Sequence, residues 1–210
     1  MAKRSRSAGV RHPGRWAAVN ALGAAAGVAG LVLGGEGGGP WRMLGLFPAL
    51  LCPMFLAYYL GRMKAFRDLR RGRTAIARWI VPADEFRAFC AREQAVPPGS
   101  IAVNYYRPPR TLPPDGVEVI FSDRGVLIDG GWFPLSLAGG RRLEGVRYLA
   151  DDPPALEFDT LLTTTARTSS MTVATRRQAQ SLRVPVARAA RAEAGGVVDR
   201  FQARLHARGD

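Results

Sequence analysis

Cysteine and histidine are nearly absent from this 210-residue chain, with two of each. Cys52 and Cys90 form no CxxC pair, and His12 and His206 lie near opposite ends. A structural zinc needs four Cys or His ligands at close spacing, so no metal site and no disulfide scaffold is expected. A Ser-His-Asp triad needs an imidazole beside its nucleophile, and two terminal histidines do not provide one. No Walker A loop occurs, and the glycine run Gly34–Gly39 does not join a strand to a helix, so a phosphate cradle is excluded there and no cofactor is expected. Lysine is scarce too. Lys3 and Lys64 stand against twenty-eight arginines, a bias that reads as coding composition and not as a chemical demand.

Charge is missing from two long stretches. Trp16 to Gly35 gives twenty uncharged residues and Met43 to Gly61 nineteen more. A helix crossing a hydrocarbon core of about 30 Å needs about 20 apolar residues, and backbone satisfaction in lipid requires the stretch to be helical. Glu36 to Pro40 between them reads as a turn. Trp16, Trp41, Tyr58 and Tyr59 stand at the ends of the stretches, where amphipathic rings prefer the headgroup layer. The expectation is a transmembrane hairpin over residues 16–63. A cleaved signal peptide competes for the first stretch, with a basic leader and small residues at Ala29 and Gly30; its apolar length and the second stretch close behind argue against that reading.

The basic residues orient the hairpin. Residues 1–15, a basic tail, carry five Lys/Arg and no acid, and Arg62, Lys64, Arg67, Arg70, Arg71, Arg73 and Arg78 follow the second stretch against Asp68 alone. Basic flanks stay cytoplasmic, so both termini are expected in the cytoplasm and the glycine-rich turn outside, with the chain in a cell inner membrane. Residues 64–78 are expected to continue the second helix as a basic juxtamembrane segment. Arg62, Lys64, Arg67, Arg70 and Arg71 are its candidate contacts to anionic lipid headgroups, through snorkelling side chains. The isoelectric point near 11.2 would otherwise suggest nucleic acid. Residues 79–210, however, hold seventeen Arg and fifteen Asp/Glu, a net of only +2, so nucleic acid is not an expected partner. The bilayer is.

Small residues recur at four-residue spacing in both stretches. Gly23 and Gly27 form a GxxxG pattern, and Gly45 and Ala49 lead a similar series in the second. Such faces let helix backbones approach closely, either within the chain or in a homodimer.

Beyond Arg73 the pattern shifts to short alternating runs. Thr74–Val81 reads as a strand and Pro82–Glu85 as the start of a short helix with Phe86, Phe89 and Cys90 on one face. Ile101–Tyr106 reads as a further strand. Val117 to Leu135 gives the clearest β signal, two hairpin turns at Ser122–Gly125 and Asp129–Gly131. More strands are expected at Gly145–Leu149, Ala155–Leu162, Met171–Arg176 and Ser181–Val186, in one antiparallel system. Ala194, Val197, Val198, Phe201 and Leu205 form the stripe of an amphipathic closing helix. The fold class is therefore α+β: an N-terminal two-helix transmembrane hairpin, then a mostly antiparallel β domain over residues 79–210. A strand meander closed by a helix resembles the pleckstrin-homology-like (PH-like) superfold. With the hairpin, the chain resembles bacterial membrane-anchored PH-like domain proteins over roughly residues 74–206. That resemblance implies a binding or scaffolding role and no particular ligand residue.

Two readings of function follow. One is a non-catalytic interaction or scaffolding module, with Tyr105, Tyr106, Arg107 and Trp132 as a candidate protein-interaction surface, because Tyr, Trp and Arg are common interface anchors. The alternative is a membrane-bound enzyme using acidic loop residues, above all Asp151 and Asp152, since paired carboxylates can serve acid–base chemistry. Asp123 and Asp129 flank a strand and read as turn residues. The run Thr163–Thr165 with Thr168, Ser169 and Ser170 reads as a polar turn.

Overall fold

The computed structural model describes residues 13–33, 40–96, 104–108, 113–167 and 173–208. Residues 1–12, 34–39, 97–103, 109–112, 168–172 and 209–210, which include the basic tail and most of the expected Glu36–Pro40 turn, lie outside the described residues. The architecture is α+β: two long apolar helices near the N-terminus, two antiparallel sheets and a C-terminal helix. The chain divides into two compact units that meet between Arg73 and Thr74 in sequence.

The first unit is a helix pair, α1 (Pro13–Leu33) and α2 (Pro40–Arg70). Both are long and apolar enough to cross a membrane. Their contacts run in opposite order along the two helices, Gly14 near Met63, Gly23 at Cys52, Gly27 at Ala49 and Gly45, so they pack antiparallel. Side chains are excluded at the crossing: a Cβ on Gly27 would fall 2.5 Å from the Ala49 backbone nitrogen, and one on Gly45 would fall 2.8 Å from the Gly27 carbonyl. Backbone therefore rests on backbone, the geometry that small residues permit. Near Gly14, Trp16 and Tyr59 stack with centroids 6.3 Å apart. Helix α2 runs unbroken through Pro48 and Pro53.

Helix α2 stops at Arg70 and does not reach Arg78 as a continuous juxtamembrane helix would. Gly72 takes a left-handed φ of +77°, its N–H bonds to the Leu69 carbonyl and the Arg73 N–H to that of Asp68. That is a Schellman termination, which glycine makes at little steric cost. Arg78 instead belongs to a strand.

The second unit opens with β1 (Ala77–Val81) and α3 (Ala83–Ala95), and continues with β2 (Val117–Ser122), β3 (Gly125–Ile128) and β4 (Gly131–Pro134). These four strands form one antiparallel sheet in chain order. The β3–β4 connection is a two-residue turn with positive φ at both Asp129 and Gly130, which matches the right-handed twist of paired strands. A second sheet holds β5 (Arg141–Leu149), β6 (Ala155–Arg167) and β7 (Val173–Pro185), again in chain order. The strands thus divide into two sheets and not one system, with the switch at Leu135–Gly140. Thr163–Thr165 are strand, paired with Arg177, Arg176 and Thr175, where a turn was expected; β-branched threonine suits an extended backbone. The described parts of the strands expected at 171–176 and 181–186 belong to the single strand β7, which ends at Pro185. Of the strand expected at 101–106, the described part makes only a parallel bridge from Asn104 to Ser181.

A 3₁₀ turn (Arg188–Ala190) leads into α4 (Arg191–His206). Its Ala194, Val197 and Phe201 are buried, with Val198 and Leu205 packed beside them. Aromatic rings run through the core in series: Trp79 to Phe121 at 5.2 Å, Phe121 to Phe158 at 5.8 Å, Phe158 to Phe201 edge-on at 5.3 Å. The series starts in the first sheet, crosses the second and ends on α4. The Trp79 indole also donates to the Pro185 carbonyl at 3.1 Å. A fully buried Phe to Ala change removes transfer energy and leaves a cavity, so Phe201→Ala should destabilise the second unit by about 3–5 kcal/mol. Denaturant unfolding of the full-length chain in detergent, followed by near-ultraviolet circular dichroism, measures it; a loss under about 1 kcal/mol would show that α4 does not close the core.

Candidate functional site

The most concentrated polar centre is one that the sequence does not announce. On β6 the residues alternate, with Leu156 and Phe158 toward the aromatic core and Glu157 toward the opposite face. Glu157 is only 3% exposed, yet it is charged and fully engaged. Its carboxylate accepts from the Ser181 hydroxyl at 2.7 Å, from Arg183 Nε at 2.9 Å and from Arg147 Nε at 2.6 Å. Arg183 also donates to both oxygens of Glu93 on α3, at 3.1 and 3.3 Å. Burial works against the Glu157 charge, but the bonds from Ser181, Arg183 and Arg147 outweigh it and hold the carboxyl below the usual glutamate range. A carboxylate so satisfied is a weak base, and its partners fix α3 to the second sheet.

Asn104 adds a side-chain device beside this centre. Its Oδ1 accepts from the Arg183 backbone N–H at 3.0 Å, and its Nδ2 donates to the Arg183 carbonyl at 3.1 Å. The Asn104 amide thus occupies the outer edge of β7 as a neighbouring strand would. The next residue donates its backbone N–H to the Ser181 carbonyl.

That next residue is Tyr105, which the sequence marks as part of an aromatic and cationic group. The cation over its ring is Arg141 on β5, at 4.4 Å from guanidinium to centroid, with Phe133 at 6.0 Å on β4. Burial pushes the phenol up to about 12 against the opposing pull of Arg141 and Thr160. Tyr106 is core: it is 3% exposed and packs on Phe86 and edge-on to Phe133. Burial removes it from any interaction surface. Arg107 is exposed and Trp132 half-buried, so only these two and the rim of Tyr105 are presented outward.

The loop carboxylates diverge. Asp151 pairs with Arg92 at 3.4 Å, Asp152 with Nη2 and Nε of Arg188 through contacts of 2.7–3.1 Å, and Asp123 with Arg200 at 2.6 Å. Arg204 adds a bond to the Asp123 carbonyl. The Arg200 guanidinium holds the Asp123 carboxyl below its usual range. These pairs staple loops to helices, and Asp151 and Asp152 turn to different arginines despite being adjacent. Cys90 lies buried on α3, and burial with the nearby Glu93 charge pushes its thiol up to about 11, which leaves little thiolate at neutral pH. Among the described residues no three His, Cys, Asp or Glu side chains gather as a metal ligand set.

In the first unit, Gly23, Gly27, Gly45 and Ala49 come together at the crossing of α1 and α2. Lys64, Arg67 and Arg70 are exposed on the last turns of α2 and Arg71 just past its end, and Arg62 lies over the Tyr58 ring at 5.2 Å. The chain matches no protein-family model, no curated protein and no solved structure.

Removing the Glu157 charge leaves Arg147 without its buried partner and Arg183 with Glu93 alone. Glu157→Gln should therefore destabilise the second unit by about 3 kcal/mol, the lower end for breaking a buried ion pair. The sign with pH follows from linkage. Because the folded carboxyl titrates below its ordinary range, the ionised form stabilises the fold above that range, and the contribution is lost as pH falls through the folded value. Acid titration of the full-length chain, comparing wild type with Glu157→Gln, should show that the variant has lost this low-pH component. Superimposable acid profiles would refute it.

Proposed function

We propose that the chain is a two-span inner-membrane protein whose β unit is a cytoplasmic PH-like domain acting as a non-catalytic interaction or scaffolding module. The observation that carries the membrane half is exposure. Leu22, Val32, Leu33 and Met54 stand 71–85% exposed on α1 and α2, together with Phe47, Leu50 and Phe55. Apolar surface on that scale is unfavourable in water and natural in lipid. The crossing of the two helices already uses the glycine face, so a second copy would have to associate through another. Orientation rests on the basic flanks, which favour cytoplasmic termini, and the arginines at the end of α2 suit anionic headgroups.

For the β unit, support comes from order: a four-stranded meander, a three-stranded meander and a closing helix, as in PH-like domains. Its carboxylates favour binding over catalysis. Asp123, Asp151, Asp152, Glu93 and Glu157 are each spent on an arginine, which gives the enzyme reading based on Asp151 and Asp152 less to work with. A protein partner would meet Arg107, Trp132 and the Tyr105 rim.

Topology is tested in intact cells. A cysteine at Gly38 should react with a membrane-impermeant thiol reagent from outside, and reporters at either terminus should read cytoplasmic; an external C-terminus would overturn the scheme. Neutralising Arg62, Lys64, Arg67, Arg70 and Arg71 together should produce mixed orientations. The interaction role is tested by placing a photo-crosslinking amino acid at Arg107 or Trp132. A discrete protein adduct is expected at one or both positions, and none at either, with topology intact, would count against a protein-binding module.

A further inference from the structure

Strand β5 leaves the second sheet early. Its last pair joins Arg141 to Leu162, and the Gly140 carbonyl takes one more bond from the Thr163 N–H at 2.6 Å. Past that point, among the described residues, Thr164–Arg167 pairs only with Val173–Arg176. The result is a two-stranded arm four residues deep, about 13 Å at 3.3 Å per residue. Two strands alone are marginally stable in water, and this pair buries little: Thr164, Thr165 and Thr175–Ala179 are all exposed.

Its charge is one-sided. No acidic residue occurs between Asp159 and Glu193, while Arg167 and Arg176 fall on the arm and Arg177 at its base. Several arginines elsewhere in the unit meet carboxylates, as Arg78 does Glu118, Arg188 does Asp152 and Arg200 does Asp123. On the arm the cross-strand neighbours of Arg176 and Arg177 are Thr164 and Thr163. Consecutive strand residues point to opposite faces, so guanidinium groups stand on both. The near-neutral sum of the unit conceals a local cationic projection.

We propose that this arm is a second contact of the chain with the anionic surface of a bilayer, made through Arg176 and Arg177; the proposal rests on the reading of α1 and α2 as membrane spans. Guanidinium groups bind phosphate oxygens through paired donors. The bilayer is the anion at hand because residues 71–76 alone separate α2 from β1, a tether of about 21 Å at full stretch. A tether of that length keeps the surface at high effective concentration.

The test is hydrogen exchange on the full-length chain in nanodiscs of pure phosphatidylcholine or of a phosphatidylcholine–phosphatidylglycerol mixture. Amides of Thr164–Arg167 and Val173–Gln178 should exchange more slowly in the anionic discs, with two engaged arginines setting an upper bound of about 25-fold. High salt should abolish the difference, since exposed charges are screened beyond about 8 Å at physiological ionic strength. The variant Arg176→Gln/Arg177→Gln should lose it as well, while amides of α4 stay protected as the control for folding. Equal exchange in both discs, or unchanged protection in the variant, overturns the arm contact and leaves the spans intact. Failure of the chain to enter discs of either composition overturns both. Protection that appears in phosphatidylcholine discs only on adding RNA or DNA, and not with anionic lipid, would make the arm a nucleic-acid contact and overturn the proposal.

Discussion

Phe158 is the residue on which the second unit turns. Its ring meets Phe121 of the first sheet at 5.8 Å and Phe201 of α4 at 5.3 Å. A three-stranded or four-stranded sheet cannot fold alone while one face is apolar and bare; it needs a second layer. Here each sheet is the other's second layer, and α4 closes what remains. The series from Trp79 to Phe201 is therefore one shared core seen in section. Every polar arrangement described above is built on the outside of it.

The polar arrangements share a single chemistry. With almost no lysine, ion pairing in the second unit is arginine to carboxylate, and arginine's planar fork can hold two oxygens or two acids at once. Arg183 does the latter, bridging Glu157 on β6 to Glu93 on α3. Arg188 and Arg200 do the former with Asp152 and Asp123. Loops that would otherwise be free are thus tied to α4 and to the 3₁₀ turn before it. Carboxylates committed in this way are structural, which is why the paired aspartates that looked available for chemistry in the sequence are not convergent in space.

How legible this was depends on range. The helix pair could be read from two uncharged stretches, and the β2–β3–β4 meander from alternation and the Asp129–Gly130 turn, because both signals are local. Phe201 could be placed by its helical stripe. The division into two sheets could not, since Leu135–Gly140 looks like any short connection. The Glu157 centre was invisible for the same reason: its partner Arg183 lies 26 residues away, and Glu93 lies 90 residues from Arg183. Tyr105 was legible as an aromatic beside cations, but sequence proximity suggested Arg107 where the fold supplies Arg141. The β6–β7 arm was hidden by its polarity, because a run of threonines and serines reads as a turn until the pairing of Thr163–Thr165 with Thr175–Arg177 shows it to be strand.

Asn104 has a consequence beyond holding its own segment in place. An edge strand offers a row of free donors and acceptors to any passing chain, and proteins blunt such edges to avoid unwanted strand addition. At Arg183 the Asn104 amide already satisfies both the N–H and the C=O. A foreign strand approaching β7 therefore finds the register interrupted beside the buried ion pairs. Growth of the sheet by a second copy is blocked at this point, where the Tyr105 N–H has also taken the Ser181 carbonyl.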